Sequence, residues 1–194
     1  MKAGQSFGKD DVLHMKKPIL LLTIISLLII ASIVVVTFDV PARINYSING
    51  MVSFSGENYT ITDSPTDKEC GIQINDSTAA SQNLTIFEAA DGLKLILNDI
   101  TNNGTSYTLK VTSVGRSTYD EGQILVLSDG PDKMYDTDLG TVIFQKAGTD
   151  GIVNDSIVNY YTVYPEQAVT AAEMAKLDIT VIIDNISIKS FQKK

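Results

Sequence analysis

The sequence predicts an all-β domain behind one N-terminal membrane helix, and three observations carry that prediction. Residues 19–38 form an apolar run, short segments after Pro41 alternate with a period of two, and seven of the chain's 11 asparagines lie in Asn-x-Ser/Thr sequons behind that run. The expected architecture is a leader (1–18), a transmembrane helix (19–38) and an extracytoplasmic β-sandwich or jelly-roll-like domain (39–194) with one short helix near its C-terminus.

Among residues 19–38 only Thr23, Ser26, Ser32 and Thr37 are not apolar. Twenty residues at about 1.5 Å each span roughly 30 Å, the thickness of a hydrocarbon core. Hydroxyl side chains are tolerated there because they bond back to the preceding turn. The run exceeds the roughly 7–15 residues of a secretory h-region, so a retained anchor is expected over a signal peptide cleaved near Val40-Pro41-Ala42. Lys2, Lys9, Lys16 and Lys17 precede the run and only Arg43 follows closely, which places the N-terminus in the cytoplasm and the bulk of the chain outside. Pro41 and the short stretch to Arg43 leave almost no linker.

The sequon asparagines are Asn45, Asn58, Asn75, Asn83, Asn103, Asn154 and Asn185. Ser and Thr make up 29 of the 156 residues behind the run, so chance would give about two sequons, and the excess predicts a glycoprotein. The leader carries a net charge of +2 and the remainder −10, within a total of −8. An acidic exterior argues against nucleic acid as a partner, which needs a basic footprint. The single cysteine, Cys70, excludes an intrachain disulfide and reads as a small buried hydrophobe.

Behind Pro41 the strands are expected at 44–48, 51–54, 59–62 and 84–87. A hairpin follows: Leu93, Leu95 and Leu97 alternate with polar residues, Asn102-Asn103-Gly104 makes the turn, and Tyr107, Leu109 and Val111 alternate on the return. The continuous apolar runs 124–127 and 142–144 predict strands covered on both faces, with a loop between them. A strand is expected at 157–164, and Pro165 followed by Ala-rich sequence predicts a helix over 166–177. The phase of Ile179, Val181 and Ile183 differs from that of Ile186 and Ile188, which predicts a strand broken near Asp184-Asn185, with Asn185 reaching solvent.

Catalytic chemistry is scarce. The only histidine, His14, precedes the apolar run, so the outer domain has no imidazole for a nucleophile triad or a zinc site. Asp129, Asp132, Asp136 and Asp138 crowd one predicted loop, and Asp136-x-Asp138-x-Gly140 resembles the opening of a calcium loop, although Ala147 stands where the distal Glu belongs. These four are the metal candidates, with Ca2+ as the ion; no other cofactor is expected. Tyr160, Tyr161 and Tyr164 read as cross-strand packing before a sugar- or partner-binding face.

These readings point to a non-enzymatic, single-pass cell-envelope protein. It contacts lipid through residues 19–38 and works through protein partners or copies of itself, as a structural or accessory subunit. The layout of an N-terminal apolar helix preceded by Lys16-Lys17 and joined to a β-rich head resembles that of pilins and archaellins, which implies a filament subunit as the alternative. Pro18 after the lysines and the lack of an acidic residue at the start of the run depart from that pattern. A calcium- or ligand-binding module is the third expectation.

Overall fold

A computed structural model describes residues 9–54, 58–79, 81–89 and 92–194. The chain divides into two compact units, Met1–Asn45 and Tyr46–Lys194.

The described residues of the first unit are helical, and its second helix runs on into the start of the second unit. Helix α1 (Lys9–Thr37) starts upstream of the expected residue 19, and every side chain from 21 to 38 is exposed. It ends where Asp39 turns to φ 51°, a left-handed conformation that Asp tolerates better than most residues. The Asp39 carbonyl then accepts the Arg43 N–H at 3.0 Å, opening α2 (Val40–Asn49), while Arg43 Nε donates to the Phe38 carbonyl at 3.1 Å. Among the described residues no single helix is long and apolar enough to cross a membrane. Leu21–Thr37 and Val40–Ser47, bent by 56°, meet that requirement only as a pair.

The strands expected at 44–48 and 51–54 are absent. The first segment lies in α2, whose first turn accepts Pro41 because that position needs no intrahelical N–H bond. The second is a 3-10 helix, Gly50–Ser53, entered through Gly50 at φ 57°. Met51 and Phe54, three residues apart and 1% and 5% exposed, bury the same side, so the spacing there is three and not two.

The second unit is built from strands β1 (Tyr59–Pro65), β2 (Cys70–Ile74), β3 (Ser81–Glu88), β4 (Lys94–Asn102), β5 (Tyr107–Val114), β6 (Arg116–Ser117), β7 (Glu121–Leu127), β8 (Lys133–Thr137), β9 (Gly140–Thr149) and β10 (Ser156–Pro165). Helix α3 (Ala171–Met174), β11 (Ile179–Ile183) and β12 (Ile186–Lys193) complete it. The strands form a curled, sandwich-like antiparallel arrangement. One sheet has the order β3-β4-β5-β10-β9-β8, a second β1-β12-β7-β6, and β11 pairs with β2 alone.

The hairpin β4–β5 forms as expected: Gly104 adopts φ 87° and its N–H donates to Asn102 Oδ1 at 2.8 Å. A register shift between Leu97 and Asp99 moves the inward phase from Leu95 and Leu97 to Ile100. Both faces of β7 are covered, since Leu125 joins the main core and Ile124 a smaller cluster with Met51, Phe54, Tyr59, Ile157 and Phe191. On β9 the burial is one-sided: Val142 and Phe144 are buried and Ile143 only half so. The expected loop between these strands contains β8, paired with β9 through a two-residue turn closed by Gly140 at φ 85°.

Near the C-terminus the helix is confined to Ala171–Met174, shorter than 166–177. Thr170 caps it reciprocally with Glu173, and residues before Thr170 stay out of the helix. The strand break near Asp184 is present, with Asn185 at φ 55° and exposed; the two halves serve different sheets.

Candidate functional site

The metal candidates lie along the β7–β8 connection and the β8–β9 hairpin. Asp129 and Asp132 precede β8, Asp136 stands within it and Asp138 in the turn; all four are exposed. Extended backbone at about 3.3 Å per residue separates Asp132 from Asp136 by roughly 13 Å along the chain. Among the described residues no group of three or more His, Cys, Asp or Glu is placed to hold a metal ion.

Asp129 instead pairs with Lys146 at 2.9 Å, and Lys146 also donates to the Leu127 carbonyl. A second pair joins Lys133 to Asp184, and the same ammonium donates to the Ile182 carbonyl at 3.0 Å. Together they fasten the β7–β8 and β11–β12 connections to the strands beneath. These connections and residues 66–69 line an open bowl of about 610 Å3, and Asp63, Asp67, Glu69, Asp129 and Asp184 are among the residues around it. This lining joins distant parts of the chain and has no local sequence signal.

Cys70, next in sequence to Glu69 of that bowl, is buried, and burial followed by the nearby Glu69 charge pushes its thiol up to about 11, with Lys133 opposing. A thiol in that range stays protonated at neutral pH and is a poor nucleophile. Burial also raises the Tyr161 phenol well above its ordinary range.

The three tyrosines divide between two faces. Tyr161 points into the core and stacks on Phe144, ring centroids 5.1 Å apart, as packing predicts. Tyr160 and Tyr164, one and three residues away, take the opposite face, where their hydroxyls bond Asp150 at 2.9 Å and Gln145 at 3.3 Å.

Six of the seven sequon asparagines are exposed: Asn45, Asn58, Asn83, Asn103, Asn154 and Asn185. Asn83, Asn154 and Asn185 have positive φ. Asn75 is half-buried, its amide donating to Asp178 at 3.2 Å while its carbonyl oxygen accepts from Ser77 and the Thr78 N–H. Of the four asparagines outside sequons, Asn49 is exposed, Asn98 and Asn102 are half-buried and Asn159 is 1% exposed, bonded to Ser113 and Thr149. Exposure therefore follows sequon membership more closely than it follows residue type.

Comparison with protein-family models, with curated proteins and with solved structures gave no match to this chain.

Proposed function

We propose that the chain is a non-enzymatic, single-pass membrane protein of the cell envelope, with a cytoplasmic N-terminus and a glycosylated β domain that works through protein contacts as a structural or accessory subunit. The observation that carries this reading is α1. Thirteen large apolar side chains between Leu21 and Phe38 are exposed around its whole circumference. Covering them is worth on the order of 30 kcal/mol at roughly 2 kcal/mol each, more than the roughly 5–15 kcal/mol that stabilises a whole domain. A helix apolar on every side requires an apolar surrounding; the sequence run 19–38 has the length of a hydrocarbon core, while its described part Leu21–Thr37 taken alone falls short of it. The surface position of the sequons supports the glycosylated exterior. The β domain carries out no reaction in this reading, and no cofactor is assigned to it.

Alkaline carbonate washing of native membranes, followed by intact mass measurement, tests the proposal. A full-length chain kept in the membrane with mass above 21.0 kDa is expected. Release by carbonate contradicts the anchor, and a bare mass contradicts the glycans. The filament reading rests on the same exposed helix, covered by helices of other copies in place of lipid; a chain cut next to Lys17 or Pro18 and recovered in polymers would favour it.

A further inference from the structure

We infer that α2 is an interfacial collar: it lies in the lipid headgroup layer, so the chain leaves the bilayer obliquely and Ile44 contacts lipid. This rests on the membrane reading of α1.

The geometry comes from the bend. Straight continuation of α1 would carry the ten residues of α2 about 15 Å further outward, at 1.5 Å per residue. With a 56° bend and α1 along the bilayer normal, the same helix climbs only about 8 Å, and residues 40–45 about 5 Å. The layer between the hydrocarbon core and the outer limit of the headgroups is roughly 5–7 Å thick on each side. Ile44 and Asn45 therefore remain inside it.

Composition agrees with that depth. Phe38 and Ile44 expose apolar surface, 61% and 55%. Asp39, Arg43 and Asn45 are interspersed with them, and such residues are costly in hydrocarbon but well solvated among headgroups. The bend is held by the left-handed Asp39 and by the Arg43 Nε bond to the Phe38 carbonyl, so its direction is built into the backbone. A helix deeper in the core would bury Arg43. One standing in water would leave Phe38 and Ile44 exposed at the end of an apolar helix.

The chain contains no tryptophan, so single substitutions give unambiguous probes. The full-length protein is reconstituted in phosphatidylcholine vesicles as three variants: Leu28→Trp in α1, Ile44→Trp in α2 and Tyr160→Trp on the β domain. Emission is quenched by lipids labelled at the headgroup, by lipids brominated at mid-chain, and by aqueous iodide. The collar predicts that Ile44→Trp is quenched most by headgroup-labelled lipid, Leu28→Trp most by mid-chain lipid and Tyr160→Trp only by iodide. If Ile44→Trp follows Tyr160→Trp while Leu28→Trp is still quenched at mid-chain, the anchor stands and the collar is overturned. Mid-chain quenching of Ile44→Trp overturns it in the other direction, as a continuation of the span. Iodide quenching of Leu28→Trp removes both the collar and the anchor.

Discussion

The Asp155 carboxylate accepts the backbone N–H of Met51 at 2.7 Å, tying the turn before β10 to the 3-10 helix that opens the β domain. Asp155 holds φ 60° in that turn, and its own carbonyl accepts the Gly115 N–H at 2.7 Å. One residue thus anchors the entry of the domain, with Met51 and Phe54 completing the cluster around Phe191.

Replacing Asp155 with Ala removes a charge-assisted bond and puts a residue that disfavours positive φ into the turn. We expect a loss of about 2–4 kcal/mol in urea unfolding, with Asp155→Asn losing less because Asn keeps an acceptor and tolerates the left-handed region. Equal losses for the two variants would show that the carboxylate bond contributes little.

Thr170→Ala should cost about 1 kcal/mol by opening the capping box of α3. Bonds from the Thr170 backbone and side chain hold the Glu173 carboxyl below its ordinary value. A lowered folded value means that its contribution is present above the ordinary value of 4.5 and lost as pH falls through the folded value. Thr170→Ala should therefore flatten the acid limb of the stability profile; an unchanged acid limb would contradict the assignment.

Cys70 should resist thiol reagents in the native protein at pH 8 and react on unfolding, since its thiol lies near 11. The sign follows from the raised value: the neutral thiol's contribution is complete below the ordinary 9.0 and is lost as pH rises towards about 11. Rapid labelling of the folded chain would show that the site is open.

Glycopeptide mapping should find Asn45 bare, because the collar keeps it among the headgroups, and Asn75 the least occupied sequon of the β domain, because its amide is held by Asp178. Asn58, Asn103 and Asn154 are expected to carry glycans. Full occupancy at Asn45 would contradict the position of α2.

Local patterns were readable where one face of a segment is buried and the other is wet. Leu95 and Leu97 on one strand and Leu109 and Val111 on the next, with Leu97 opposite Val111, show their alternation directly, and Asn102-Asn103-Gly104 names its own turn. β8 was hidden because an edge strand such as Lys-Met-Tyr-Asp-Thr keeps its exposed face polar or mixed, and Asp136 resembles a loop residue. Residues 44–48 of α2 read as a strand because Ile44, Tyr46 and Ile48 are spaced by two as well as falling within helical turns. Glycine and Pro41 carry the correct signal there: Pro41 suits a first turn and Gly50 marks the exit. The bowl was invisible because Asp63, Asp129 and Asp184 come to line it only through the fold of the sheets.

The most direct test of the anchored, glycosylated reading is the intact mass of the chain recovered from carbonate-washed native membranes. The account predicts residues 1–38 retained and added glycan mass on a chain of 21.0 kDa. A chain lacking residues 19–38 and recovered in the wash would contradict it.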